Sequence, residues 1–182
     1  MHALLKKKPN LALASHDGTT PLVHAVIAAK RGMDTGLEIL GALLDAGADP
    51  DLGTTDDGTT ALIVAAGKGH ADMVNLLLQR GANPNKAATD DGMTALIHAI
   101  QQLSAIQERP TSSQLAIEHQ QYDETVAALL EGRADPDQAL HPTGFTALMT
   151  AANHKLADTV QALLEAGARR VPPQIRLPHA RA

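Results

Sequence analysis

Two short polar stretches of the sequence hold the side chains that acid–base or metal chemistry would use. The first, EHQQYDE, places an imidazole and three carboxylates on one predicted helix: Glu118, His119, Asp123 and Glu124. Imidazole and carboxylate groups transfer protons near neutral pH and also bind metal ions. Closely spaced polar side chains are equally typical of a solvated helix face. We therefore expect a surface helix here and keep a metal-dependent or enzymatic role for His119 and its carboxylate neighbours as the alternative.

The second stretch is DPDQALHP, in which Asp135, Asp137 and His141 bring oxygen and nitrogen ligands into one turn. Aspartate in such a turn usually accepts a hydrogen bond from nearby backbone, so we expect a structural role. The chain has no nucleophile elbow, no P-loop, no H-E-x-x-H sequence and no cysteine. The sequence thus predicts no catalytic residue, no metal site and no cofactor.

Helices built from small apolar side chains must position these stretches. Apolar residues make up 44% of the 182 positions, but aromatic residues make up only 1%, namely Tyr122 and Phe145. The core must therefore consist of alanine, leucine, isoleucine, valine and methionine. Because alanine and leucine have high helix propensities, this composition favours closely packed helices.

Charge and hydropathy narrow the range of partners. A formal net charge of −5 and only two aromatic residues argue against nucleic-acid binding. No run approaches the roughly 20 apolar residues needed to cross a bilayer, and the N-terminal stretch lacks the apolar region of a signal peptide. We expect a soluble, cytoplasmic protein without nucleic-acid or membrane partners, and leave export into a host cell open. The cysteine-free composition, rich in alanine and leucine, favours a bacterial origin.

The chain repeats itself. Four glycines, which we call the turn glycines, follow one another at spacings of 40, 34 and 52 residues: Gly18, Gly58, Gly92 and Gly144. A proline stands eight residues before each of the last three, at Pro50, Pro84 and Pro136. The connection between repeats is therefore constant in length, and all the variation falls within the repeats.

The shortest copy shows what one repeat folds into. Thr60 is placed to cap a helix over residues 61–66, and a second helix over residues 71–80 has its apolar positions on one face. Gly81 then stands where a helix end favours a positive φ. One such helix pair cannot bury its apolar face alone, whereas stacked copies can, so the period predicts a solenoid.

The stretches GTTPL, GTTALIVAAGKGHADMVNLLLQRGANPN, GMTALIHA with VAALLEGRADPD, and GFTALMTAA with VQALLEAGA resemble ankyrin repeats. The resemblance covers residues 17–168 and implies an all-α ankyrin-repeat solenoid of four helix-turn-helix repeats with long β-turn fingers. We expect repeats at 17–55, 56–89, 90–141 and 142–168, a partial N-terminal cap at 1–16 and a flexible tail at 169–182. In the third copy Arg133 takes the place of the helix-end glycine. Because a non-glycine residue at positive φ is disfavoured, we expect that helix to end early, at Gly132.

Copies one and three carry insertions between their two helices, near residues 30–36 and 104–121. In copy three we expect the first helix to run to about Glu108, a turn at Pro110, and one long second helix. Such insertions are tolerated cheaply, so drift is one interpretation. The other is a recognition edge, since the insertion carries Leu115, Ile117 and the single tyrosine, Tyr122.

The resemblance implies that a partner contacts the concave face, here called the palm, and the finger tips. Turn chemistry explains most of the aspartates in the fingers, and a negative ridge facing a basic partner is the alternative. Phe145 is predicted as an interface anchor. With Leu115 and Tyr122 from the insertion, the candidate contact residues are Asp56, Asp57, Thr59, Lys68, Asp90, Asp91, Met93, Gln101, Gln102, Phe145, Asn153 and His154.

The function that the resemblance implies is non-catalytic protein–protein binding, as an inhibitor, an immunity protein or an adaptor. A targeting arm of a secreted bacterial effector is an alternative. We expect a monomer, with self-association through the apolar end faces as a further possibility.

Overall fold

The computed structural model describes residues 15–16, 18–29, 34–107 and 113–169. Nearly all of the expected N-terminal cap and of the tail lies outside the described residues, as do residues 30–33 and 108–112 of the two insertions. The described residues form eight helices: α1 (Pro21–Ala28), α2 (Asp34–Asp45), α3 (Ala61–Gly67), α4 (Ala71–Gln79), α5 (Ala95–Gln107), α6 (Ser113–Glu131), α7 (Ala147–Asn153) and α8 (Ala157–Glu165).

Each repeat begins with a threonine that caps its first helix. The four hydroxyls each accept the backbone N–H three residues further on, at 3.3 Å, which satisfies one donor that the helix itself leaves unpaired. All four threonines are buried: Thr20, Thr60, Thr94 and Thr146. The repeated threonine therefore sets the start of α1, α3, α5 and α7.

Each second helix ends in the same closure. The backbone N–H that follows the positive-φ residue returns to a helical carbonyl five residues earlier, as from Ala82 to Leu77 at 3.0 Å. Arg133 adopts this conformation too, with φ 65°, and Ala134 closes on Leu129 at 2.9 Å. The expected shift of the helix end to Gly132 is wrong: α6 ends at Glu131, two residues before the positive-φ Arg133, just as α4 ends two residues before Gly81. The buried Ala134 closes on the helix as its counterparts do.

The helices form two layers. First helices stack on first helices in the order α1, α3, α5, α7, and second helices on second helices in the order α2, α4, α6, α8. The core between the layers is aliphatic, and its largest fully buried side chains are Val23, Val26, Leu40, Leu62, Ile63, Leu77, Leu96, Ile97, Ile100, Leu103, Leu129 and Leu163. The predicted all-α repeat solenoid is confirmed.

Candidate functional site

The third repeat extends beyond its neighbours as a pair of long helices. Helix α5 has 13 residues and α6 has 19, against 7 and 9 for the corresponding helices of repeats two and four. Since fingers precede the first helices, the six additional residues of α5 extend the edge away from the fingers by about 9 Å. We call α5 and α6 together the third-repeat hairpin. The structure describes α5 as far as Gln107, and the expected end at about Glu108 lies outside the described residues.

Tyr122 fastens this hairpin to repeat two. Its side chain is 4% exposed, and its hydroxyl donates a hydrogen bond of 2.8 Å to the backbone carbonyl of Gly67. Its ring carbons lie 3.1–3.2 Å from the point where a Cβ would stand on Gly69. Tyr122 therefore belongs to the packing between repeats, and only 4% of its side chain is accessible to a partner. The signal that could have shown this is its alignment with His70 and Leu156, both of which are buried.

His98 makes a second link between repeats two and three. Its Nδ1 lies 3.2 Å from the carbonyl oxygen of Ile63, and its Nε2 lies 3.4 Å from Nε2 of Gln102. Because a carbonyl only accepts, Nδ1 carries the proton and Nε2 accepts from the amide of Gln102. Gln102 is thus partly engaged within the chain, and Gln101, next to it in the sequence, is half-buried.

The outer part of the hairpin presents one large apolar side chain. Ile117 is 53% exposed, and Ala116 beside it is also exposed. Leu115 is half-buried and packs against the core. The exposed surface of the described part of the insertion is therefore apolar at Ile117, with polar residues further along α6.

The palm is formed by the ends of the first helices and the adjoining finger tips. Ile27 is 48% exposed at the end of α1, and the ammonium of Lys68 donates to its carbonyl oxygen at 3.2 Å. In the fourth repeat Asn153 is exposed and His154 half-buried. Lys68 therefore joins the first two repeats, and the palm is accessible at Ile27 in repeat one and at Asn153 in repeat four.

The fingers continue from repeat to repeat through backbone hydrogen bonds. Each finger closes on itself, for example from the N–H of Ala88 to the carbonyl of Met93 at 2.9 Å. Each also bonds the finger before it, by the N–H groups of Thr55, Thr89 and His141 to the carbonyls of Gly18, Asp57 and Asp91, at 3.0, 2.7 and 2.7 Å. The finger tips are therefore held in a fixed row.

The finger carboxylates fall into two groups. Asp57 and Asp91 accept the backbone N–H two residues further on, at 2.9 and 2.8 Å. The hydroxyl of Thr54 and the N–H of Thr59 donate to Asp57 and hold the pKa of this carboxyl below its usual value. Asp56 and Asp90 are exposed at the tips. The first group maintains the turn, and the second provides accessible negative charge.

The turns after the second helices form a polar ladder between repeats. The second Asp or Asn of each D-P-D or N-P-N sequence accepts a backbone N–H from the following repeat. These contacts join Asp51 to Asn83, Asn85 to Asp135 and Asp137 to Arg169, at 2.8, 2.6 and 2.8 Å. These backbone hydrogen bonds account for the presence of Asp51, Asn85 and Asp137 at the three turns.

The two stretches considered for chemistry do not converge. His119 and Asp123 form an exposed i,i+4 pair at 3.0 Å on α6. Asp135 and His141 line a shallow cleft of about 360 Å³ that Gly92 also borders, where Asp137 is bonded to Arg169. Among the described residues, no group of three His, Asp or Glu side chains is arranged to hold a metal ion. Nor does any helix in the described ranges have the length and apolar character needed to cross a membrane.

A stack of paired helices with a row of fingers and a concave face defines a helical-repeat solenoid of the ankyrin type. The family model described as "Ankyrin repeats (3 copies)" matches residues 26–108, and that described as "Ankyrin repeat" matches residues 143–172. The chain belongs to the ankyrin-repeat family.

A solved structure of an ankyrin repeat domain from Acinetobacter baumannii AYE is similar to this chain. The two are 29% identical with a TM-score of 0.73, and the match covers 92% of this chain and 74% of that one. No protein among the curated ones matches. Ankyrin repeats are generally modules of protein–protein interaction and are typically non-catalytic.

Proposed function

We propose that this chain is a non-catalytic binding module that contacts a partner protein through the palm, the finger tips and the third-repeat hairpin. The observation that carries the proposal is the attachment of the hairpin to repeat two by Tyr122, at 2.8 Å from its hydroxyl to the carbonyl of Gly67. The aligned residues His70 and Leu156 are also buried, so this position is a regular packing point of the repeat and gives the longer helices of the hairpin a fixed base. The attachment holds the hairpin in one orientation beside the palm.

The accessible residues of this surface differ in character along the chain. The hairpin offers Ile117, and the fourth repeat offers Phe145, 43% exposed, together with Asn153. Exposed aromatic and aliphatic side chains with polar neighbours are typical anchors of protein interfaces. Of the predicted contact residues, those that keep accessible side chains are the best candidates: Asp56, Asp90, Gln101, Phe145, Asn153 and His154, with Leu115 beside Ile117.

The charge of the surface supports a partner with a basic face. Asp56 and Asp90 are exposed at successive finger tips, and the chain carries a formal net charge of −5. Complementary charge mainly raises the association rate. The bacterial source of the similar solved domain supports the bacterial origin that the composition indicates.

The proposal is tested by affinity capture from a native lysate with quantitative mass spectrometry. The intact chain is compared with Ile117→Arg on the hairpin, Asn153→Arg on the palm, and Ile39→Arg as the matched control. Ile39 is 40% exposed on α2 of repeat one, a helix that belongs neither to the hairpin nor to the palm, so its substitution introduces the same charge away from the proposed surface.

We expect at least one protein to be captured equally by the intact chain and by Ile39→Arg. Its recovery should fall about ten-fold or more on Ile117→Arg or Asn153→Arg, the effect of losing an interface hot spot. Loss on Ile117→Arg assigns the hairpin to the interface, and loss on Asn153→Arg assigns the palm. Equal recovery of every captured protein on all four chains would contradict the proposal.

A further inference from the structure

The fourth finger has an open edge. In the first three fingers a carbonyl next to or at the turn glycine accepts an N–H from the following finger. The corresponding carbonyl in the fourth finger belongs to Thr143. No described residue donates a hydrogen bond to it, although the hydroxyl of Thr143 accepts the N–H of Phe145 at 3.4 Å, the same turn as at Asp57 and Asp91. The fourth finger has the shape of the inner fingers, but no other finger follows it among the described residues.

The surroundings of the turn glycines differ in the same way. The side chains of Thr89 and His141 lie 2.9 Å from the points where a Cβ would stand on Gly58 and Gly92. No described residue lies within 4 Å of the corresponding point on Gly144. The fourth finger therefore has room for the side chain that a following strand would place there.

Phe145 lies beside this space. Met93, at the same position of the third finger, is half-buried and packs against the core. Phe145 leaves 43% of its surface exposed. A strand on the open edge would cover part of this apolar side chain as well as satisfying the carbonyl of Thr143.

The chain leaves the fourth repeat in register for such a strand. The N–H groups of Asn83 and Asp135 bond the ladder residue of the preceding repeat, and six residues later Thr89 and His141 bond the preceding finger. The N–H of Arg169 bonds Asp137 in the same way. Six residues after Arg169 the sequence has Ile175.

We propose that the C-terminal segment around Ile175, which lies outside the described residues, adds to the open edge of the fourth finger. The N–H of Ile175 donates to the carbonyl of Thr143, and its side chain occupies the space beside Gly144. Pro172 and Pro173 favour an extended backbone leading to Ile175. Pro178 stands where the other repeats have the turn glycine, and proline cannot adopt positive φ. The segment therefore supplies a single strand and not a complete fifth finger.

This arrangement has a consequence for binding that rests on the proposed function. A docked segment covers part of Phe145, so a partner that contacts Phe145 must compete with the chain's own C-terminal residues. Removal of residues 170–182 would then raise the affinity for such a partner without changing the palm.

The test is amide hydrogen exchange by NMR on the intact chain, with two proline variants. Ile175→Pro removes the proposed donor. Arg176→Pro is the matched control, because the fourth finger already has Pro142 at the equivalent position and the N–H of Ile175 is retained. The carbonyl ¹³C shift of Thr143 reports the acceptor side independently.

We expect the Ile175 amide to exchange about ten-fold more slowly than the amides of Arg176 and Leu177, in keeping with one solvent-accessible backbone hydrogen bond. The Thr143 carbonyl shift should change in Ile175→Pro and stay unchanged in Arg176→Pro. Exchange of Ile175 as fast as its neighbours, with Thr143 unchanged in both variants, would overturn the proposal. Protection that disappears on dilution would also overturn it, because the occupant would then be a second copy of the chain.

Discussion

Tyr122 joins the third-repeat hairpin to repeat two, and its contribution to the free energy of unfolding can be worked out. The side chain is 4% exposed and its hydroxyl bonds the carbonyl of Gly67 at 2.8 Å. Truncating a buried aromatic residue to alanine costs about 3–5 kcal/mol. We expect Tyr122→Ala to lower the free energy of unfolding by about 3 kcal/mol or more. Tyr122→Phe removes only the hydrogen bond and should cost about 1 kcal/mol.

A substitution at Gly69, which lies against the ring of Tyr122, tests the same contact from the other side. Gly69 has φ 68°, and three ring carbons of Tyr122 lie 3.1–3.2 Å from where its Cβ would stand. Gly69→Ala therefore combines backbone strain of about 1–2 kcal/mol with crowding of about 1–3 kcal/mol. In a Tyr122→Ala background only the strain remains, so the cost should fall by at least about 1 kcal/mol. Lys155, the equivalent residue of repeat four, has φ 59°, so Lys155→Gly measures the strain without the ring.

The assay is urea unfolding followed by circular dichroism at 222 nm, accepting only variants with an unchanged m-value. The decisive quantity is the coupling free energy, which is the difference between the cost of Gly69→Ala in the intact chain and its cost in Tyr122→Ala. If Gly69→Ala costs the same in both backgrounds, or if Tyr122→Ala costs less than about 1 kcal/mol, the hairpin is not fastened to repeat two in the way described.

Three further predictions concern individual side chains and one pair. Arg133→Gly should raise the free energy of unfolding, measured in urea, by up to about 1 kcal/mol, because glycine adopts the positive φ of 65° without strain. The greater freedom of glycine in the unfolded chain offsets part of this gain. The reverse change at the equivalent position, Gly81→Arg, should lower the free energy of unfolding. The pKa of Asp57 is depressed in the folded state, so its contribution is complete above about pH 4 and is lost as the pH falls through the folded value. Asp57→Asn should therefore flatten the fall of Tm between about pH 4 and pH 2, and an unaltered acid profile would contradict the role assigned to this carboxyl. Replacing His119 and Asp123 together by alanine should leave the Tm within about 1 °C and partner capture unchanged, since exposed i,i+4 pairs contribute little. Loss of a measured catalytic activity would instead favour the enzymatic alternative.

The sequence sufficed to predict the local features of the repeat, because each depends on a few adjacent residues. The threonine before each first helix and the glycine after most second helices define helix ends through short-range hydrogen bonds and positive φ. Arg133 shows the limit of this reasoning. Its residue type disfavours positive φ, but the buried Ala134 and its bond to the carbonyl of Leu129 impose that conformation. The hydrogen bond that closes the helix end thus outweighs the preference of a single arginine for negative φ.

Contacts between repeats were harder to predict, because they depend on how distant repeats align with one another, which no short stretch of sequence shows. Tyr122 stands 55 residues from Gly67, and its position in an insertion favoured a surface role. Comparing it with His70 and Leu156, the aligned positions in repeats two and four, would have indicated burial. The ladder through Asp51, Asn85 and Asp137 joins equivalent positions of successive repeats, so aligning the repeats would have predicted it as well.

The ladder also shows how to separate structural aspartates from charges that attract a partner. In the turn at residues 83–85 the sequence N-P-N performs the same hydrogen bonding as D-P-D, so these sites require an acceptor oxygen and not a charge. Changing Asp49 and Asp51 together to asparagine should therefore preserve the fold while removing two charges. Changing Asp56 and Asp90 to asparagine removes two charges from the exposed finger tips. With the captured partner in hand, stopped-flow association at low ionic strength should slow several-fold for the second pair and little for the first, and the difference should vanish near 1 M salt. Equal slowing by both pairs would mean that net charge, rather than the finger tips, attracts the partner.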